Sequence, residues 1–269
     1  MSSKGKAGSL INFQITVENH EVLDSSILAL NEDWKEGKIN WYSPIEKTSF
    51  KEFYDNSFWN GKFKGDYNSF WSEMGNPNII PNAWPKGGPS WDGIAVLTDK
   101  NGEKTLLLFE AKARKGELFS KCKATNSDSF DSIKDKLNST RDKLGLKHDV
   151  DWMIKYFQFA NRLAFHNYLQ NENIKVALIC IYFANDPYWT KENYTGIEEW
   201  KKAIKKEKDY FGIDNAFLES NHIYNLIIDL KSDPYKDILK KINDKLKENK
   251  VTCGDDVCFP NLTCDIIYK

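Results

Sequence analysis

The sequence predicts an α/β fold, a mixed central sheet flanked by helices, and three observations carry that expectation. Two apolar runs, 90–97 and 105–112, enclose a polar stretch from Thr98 to Lys104 and read as a hairpin. Two further apolar runs, 174–183 and 223–230, each follow a stretch with helical patterning. Within 105–112, Leu106 and Leu108 fall on one face and Leu107 and Phe109 on the other, so this strand is apolar on both sides. A strand of that kind lies in the middle of a sheet covered by helices on both faces.

The elements follow in order. Residues 9–40 read as mostly helical, with apolar positions at Leu10, Phe13, Val17, Leu23, Ile27, Leu28, Leu30 and Trp34. Residues 41–90 are aromatic and punctuated, which suits short helices and loops whose rings pack a helical cap. Gly87-Gly88-Pro89 breaks the chain before the hairpin. A helix over 128–144 has its apolar stripe at Ile133, Leu137 and Leu144 and can be capped by Ser127 or Asp128. A second, near 152–169, can be capped by Asp149 or Asp151 and places Tyr156, Phe157, Ala160, Leu163 and Ala164 on its apolar face. Gln158 and Arg162 lie four apart on another stripe. Thr195-Gly196-Ile197-Glu198 fits a capping box for a helix through Trp200 and Ile204. Ser232-Asp233-Pro234 starts a final helix bearing Ile238, Leu239, Ile242 and Leu246. With no clean linker and no repeat, residues 1–269 read as one domain.

The hairpin also carries the chemistry. Asp92 opens its first run, and Glu110-Ala111-Lys112 closes its second. Alternation puts Glu110 and Lys112 side by side on one face. Asp92 joins them only if the turn has an odd length. A three-residue loop, Lys100-Asn101-Gly102, sets Asp99 opposite Glu103 and Asp92 opposite Glu110, with Gly102 in the left-handed position. A two-residue Asn101-Gly102 turn would place Asp92 opposite Ala111, on the wrong face.

Two carboxylates at one point make a hard, oxygen-rich site suited to Mg²⁺, with Mn²⁺ as substitute. A lysine beside it can hold an attacking water or hydroxide and offset charge on a phosphate oxygen. That is equipment for hydrolysing a phosphodiester. The alternative on spacing alone is a buried carboxylate–lysine ion pair without chemistry.

The pattern Asp92…Glu110-Ala111-Lys112 after an apolar strand resembles the PD-(D/E)XK nuclease superfamily, whose restriction-endonuclease-like core runs helix, three strands, helix, strand. The likeness spans roughly residues 73–185 and departs at the proline usual before the aspartate, since Pro89 lies three residues earlier. The resemblance implies Asp92, Glu110 and the Ala111 carbonyl as metal ligands and Lys112 as the catalytic lysine. It adds Gln158, similar to a glutamine on the helix after the motif strand in some superfamily exonucleases, as a further catalytic residue. Arg114 and Arg162 are implied as nucleic-acid contacts. An extra acid is expected from a preceding helix, with Glu73 the candidate, Glu52 its alternative and Glu117 a further residue at the cleft mouth. On this reading 86–230 is a nuclease-like core, 1–85 a helical and aromatic elaboration, and 231–269 a C-terminal helix and tail. The implied function is a divalent-metal-dependent nuclease, with DNA preferred to RNA and a homodimer left open. The alternative is a catalytically weak or inactive scaffold of the same fold that binds nucleic acid or a protein.

Composition bounds these expectations. Net charge is −1, which argues against avid, nonspecific coating of DNA while leaving room for a local basic cleft. Of the 38 basic residues only three are Arg, which disfavours a reader of base sequence. The segment 113–148 is locally rich in lysine and could contact a nucleic-acid backbone. Five cysteines, an odd number, suit a reduced compartment. Cys253, Cys258 and Cys264 lack the tight pair and fourth ligand that a zinc site wants. With no signal-peptide core and no membrane-length apolar run, the expected location is the cytoplasm.

Overall fold

The computed structural model describes residues 8–18, 20–44, 53–54, 89–186, 195–230 and 264–265. The fold is α/β: a mixed, open sheet with helices on both faces. Its main strands are β1 (Lys38–Ser43), β4 (Gly93–Thr98), β5 (Lys104–Lys112), β6 (Val176–Ala184) and β7 (Ile223–Asp229), side by side in that order. A two-residue strand, β8 (Cys264–Asp265), extends the β7 edge, and β2 (Phe53–Tyr54) pairs separately with β3 (Ser90–Trp91). β4 runs antiparallel to both of its neighbours, β1 and β5, whereas β5, β6 and β7 run parallel.

The parallel pairs need crossovers, and helices supply them. α3 (Ser127–Leu144) and α4 (Phe157–Asn171) join β5 to β6, and α5 (Ile197–Phe211) and α6 (Asn215–Ser220) join β6 to β7. All four pack on one face of the sheet, over Leu106, Leu108, Val176 and Leu178. α1 (Ser9–Glu18) and α2 (His20–Leu28) cover the other, where Phe13, Leu23 and Ile27 meet Leu107, Phe109, Ile179 and Ile181. Covered on both sides, β5 and β6 are buried almost end to end, as their uninterrupted apolar runs require.

The hairpin turn has the odd length that the site demands. Asp99 donates its N–H to Glu103 O (2.9 Å) and Gly93 stands opposite Phe109; regular pairing ends there, and just before β4 the Asp92 N–H donates to Phe109 O (3.1 Å). Gly102 takes φ +82° in the loop, the left-handed region a glycine enters without steric cost.

Several local expectations are corrected. Helix does not persist through residue 40: Lys38–Ser43 is strand β1, paired to β4. Its polar–apolar alternation covers only six residues, too few to stand out beside the helical pattern before it. α4 starts at Phe157, not near 152, and neither Asp149 nor Asp151 caps it. Asp151 Oδ1 instead accepts from Met153 N (2.8 Å), and Tyr156 sits at φ 54°, so the chain turns left-handed where the helix would have continued. α3 is capped by the Asn126 side chain, which accepts from Ser129 N (3.0 Å), rather than by Ser127 or Asp128. The box on α5 is shifted by one: Glu199 Oε2 accepts from Gly196 N (2.9 Å), and Thr195 Oγ1 accepts from Lys115 N (3.1 Å). The helix expected from Ser232, and residues Glu52, Glu73, Cys253 and Cys258, lie outside the described residues.

Candidate active site

The C-terminal end of β5 is where the apolar face gives way to charge. Glu110 and Lys112 project toward α4 and α5, and only 6% and 7% of their surfaces are exposed. Lys112 Nζ donates to Glu110 Oε1 and also approaches the Ala111 carbonyl at 3.3 Å. Arg162 Nε, from α4, donates to Glu110 Oε2 at 2.7 Å. Its second arm reaches Ser90 O at 2.5 Å, and its guanidinium lies 5.0 Å from the Trp91 ring centre. Glu110 is thus held by a cation on each oxygen.

Asp92 approaches from β4's start. Its Oδ2 accepts from Ala111 N at 2.6 Å, which fixes the carboxylate against the peptide between Glu110 and Lys112. Asp92 is half-buried, the most open of the three. A Cβ at Gly93 beside it would lie 2.5 Å from the Phe13 ring, so a side chain there fits only if that ring shifts. Phe13 thereby presses the Asp92 end of β4 into place.

The ionisation states follow from this packing. Burial pushes Glu110 up, but Arg162 and Lys112 outweigh it and hold the carboxyl below its ordinary 4.5. Burial pulls Lys112 down, yet Glu110 and Asp92 overcome that and raise it above 10.5. Lys112 is therefore a fixed ammonium at neutral pH. It can orient a nucleophile or stabilise an oxyanion, but it cannot serve as a general base in this arrangement.

Arg162 departs from the stripe that the sequence suggested. It is 3% exposed and belongs to the site itself, bonded to Glu110. Gln158 stands one turn earlier and half-buried; its N–H donates to Ser120 Oγ (2.8 Å), and its amide makes no hydrogen bond to Asp92, Glu110 or Lys112. Arg114, two residues past Lys112, pairs with Glu117 at 3.3 Å, and Glu117 Oε2 also accepts from Ala113 N (3.2 Å). Glu117 braces the strand end.

One acidic residue escaped the sequence reading. Glu207 on α5 is 3% exposed and feels both Lys112 and Glu110. Burial, offset in part by Lys112 and reinforced by Glu110, pushes its carboxyl up to about 8, so it is neutral at pH 7. Its signal was its place on the stripe Trp200, Ile204, Glu207, Phe211, whose other members are apolar. Under it, Tyr182 donates to Asn225 Oδ1 (3.1 Å), and Cys180 is buried with its thiol pushed up by desolvation.

The donor chemistry fits a hard divalent ion: Asp92, Glu110 and the Ala111 carbonyl are all oxygen donors at one strand end. Among the described residues no group of three His, Cys, Asp or Glu is poised to hold a metal, and Glu110 is committed to its two cations. A metal would therefore compete with Lys112 or Arg162 for Glu110. Among the described residues no helix is long and apolar enough to cross a membrane. No family model, no curated protein and no solved structure matches the chain.

Proposed function

We propose that this protein is a divalent-metal-dependent nuclease of the PD-(D/E)XK type, with a restriction-endonuclease-like core and DNA as its substrate. The observation that carries the reading is the convergence of Asp92, Glu110 and Lys112 at the end of β5. It depends on the odd-length hairpin turn and on both carboxylates acting on the same lysine. Buried charge of this density is costly, and a chain retains it where it is paired or used.

Asp92, Glu110 and the Ala111 carbonyl would hold Mg²⁺ or Mn²⁺. Such an ion supplies Lewis-acid activation of a phosphate oxygen and of a bound water. Lys112, held as an ammonium, orients the attacking water and donates to the oxygen on which charge grows. Arg162 keeps Glu110 ionised and turned toward the strand end when Lys112 swings to substrate. Gln158 lies one turn before Arg162 on α4.

A second reading is favoured by one observation: both oxygens of Glu110 are already satisfied by buried cations, as in a purely structural ion triad. This would be a scaffold of the same fold that binds nucleic acid or a protein partner without cleaving. Asp92→Asn separates the two, because the amide oxygen can still accept from Ala111 N. The nuclease reading expects calorimetric Mn²⁺ binding by the native protein and a loss of DNA cleavage of roughly 10²-fold or more in the variant, with unfolding unchanged. Cleavage by Asp92→Asn at the native rate, or no Mn²⁺ binding by the native protein, rejects it.

A further inference from the structure

Beyond Lys112 the chain enters a second, differently built feature. A cleft of about 530 Å³ runs between the short 3-10 helix Lys115–Leu118 and α5. Arg114, Lys115, Lys202 and Lys206 line it, against a single lining acid, Glu199, which pairs with Lys115 at 3.1 Å. The cleft therefore carries a net positive charge in a chain whose overall charge is −1. Arg114 is paired with Glu117 and Lys115 with Glu199, so the surplus resides on Lys202 and Lys206, which an anionic backbone would neutralise.

Its wall is aromatic. Phe119 is 59% exposed, one of three large apolar side chains so placed among the described residues. One face of its ring stacks on Tyr156, with centres 5.3 Å apart. Tyr156 is itself fixed by its left-handed backbone at φ 54° and by packing against Phe211 and Tyr210. Lys155 lies over the Tyr156 and Tyr210 rings at 5.1 and 5.0 Å. The Phe119 ring is thus braced from behind, and its remaining surface opens to the cleft. An exposed ring rigidly supported among cations is the arrangement that stacks an unpaired base while neighbouring ammonium groups hold its phosphates.

We propose that this cleft binds an unpaired DNA strand, with one base stacked on Phe119 and the backbone led past Arg114 toward Lys112. The assignment rests on the nuclease reading for its direction and names the substrate of that site as single-stranded. A duplex hides its base faces in its own stack and offers Phe119 nothing to stack on, and the cleft has the volume of a small-molecule site.

The test is fluorescence anisotropy on the full chain in EDTA, so that no cleavage occurs, with a short labelled oligothymidylate and a duplex of equal length. The oligothymidylate should bind more tightly than the duplex. Phe119→Ala should weaken that binding about tenfold, while Phe119→Trp restores it. The double change Lys202→Glu, Lys206→Glu should lower the slope of log affinity against log salt by about 1–2. Phe119 is exposed, so its replacement should leave thermal unfolding unchanged. Equal or tighter binding of the duplex, or affinity indifferent to Phe119, overturns the proposal. The two readings fail separately. Phe119-dependent binding without metal-dependent cleavage removes the nuclease and keeps the cleft. Cleavage abolished by Asp92→Asn alongside Phe119-independent binding does the reverse.

Discussion

The two faces of β5 diverge over a few residues. Leu107, Phe109, Ala111 and Ala113 face α1 and α2 and stay apolar to the strand's end. Leu106 and Leu108 begin the opposite face in the same way, but Glu110 and Lys112 finish it, joined by Arg162 from α4 and by Glu207 from α5. The backbone is the same and both faces are buried, so the polar end is not a consequence of exposure. On the dry face side chains hold the sheet to its helices. On the charged face the same strand end concentrates titratable groups whose burial is costly unless they are paired.

The widest break in that comparison should come from Phe109, which is fully buried and packs on Trp41 at 4.7 Å and on Phe13 at 5.6 Å. Phe109→Ala should cost about 3–5 kcal/mol of stability, read from the urea midpoint, while on the proposed nuclease reading the folded fraction keeps its Mn²⁺ stoichiometry. Loss of Mn²⁺ binding at a denaturant concentration where the variant is folded would show that the faces are not independent.

Glu207 tests the charged face through pH. The unfolded chain releases this proton near 4.5 and the folded chain only near 8, so the native state holds the extra proton between those values. Glu207 therefore contributes stability that falls as pH rises through that window and levels off above it, while buried His166, pulled down from 6.5 to about 4, contributes in the opposite sense below 6.5, so the net fall is read between pH 6.5 and 8. Glu207 faces Lys112 and Glu110, and its charge reaches Tyr156, Cys180 and Tyr182, none of which titrates in the same interval in the folded state. Glu207→Gln should flatten the slope and stabilise the protein at pH 8, relative to pH 5, by roughly 2–4 kcal/mol. An unchanged pH profile in the variant would mean that Glu207 is not buried neutral.

The smallest expected effect belongs to the point where the dry face touches the site. Gly93→Ala drives a methyl into Phe13, next to Asp92, and should cost about 1–3 kcal/mol. On the proposed nuclease reading, cleavage should fall with it, because Phe13 presses on the residue that follows Asp92. A variant with native stability but lower activity would place the Phe13 contact in the geometry of the site rather than in the core alone.

The hairpin was readable because its constraints are local and of period two. Alternation put Glu110 with Lys112, and bringing Asp92 to the same face required an odd loop, which the Asp99–Glu103 closure with Gly102 in the left-handed region supplies. β1 was not readable: its six alternating residues acquire meaning only when β4 lies beside them. Tyr156 was read as part of a helix face because left-handed backbone at a tyrosine leaves no mark in composition. Arg162 was expected to touch nucleic acid, because a helix stripe of one arginine and one glutamine carries no sign that the arginine turns inward to Glu110.

The amino-acid order alone placed Glu110 and Lys112 on one face of a strand end, because strand period is a property of neighbouring residues, and it left Asp92 conditional on the loop length. Folding alone decided that Glu110 is shared between Lys112 and Arg162, that Glu207 is buried close by, and that Phe119 stands open among lysines. Those outcomes depend on how α4 and α5 lie across the sheet. Helix placement is fixed by packing summed over the whole core, a long-range quantity that no short window of sequence contains.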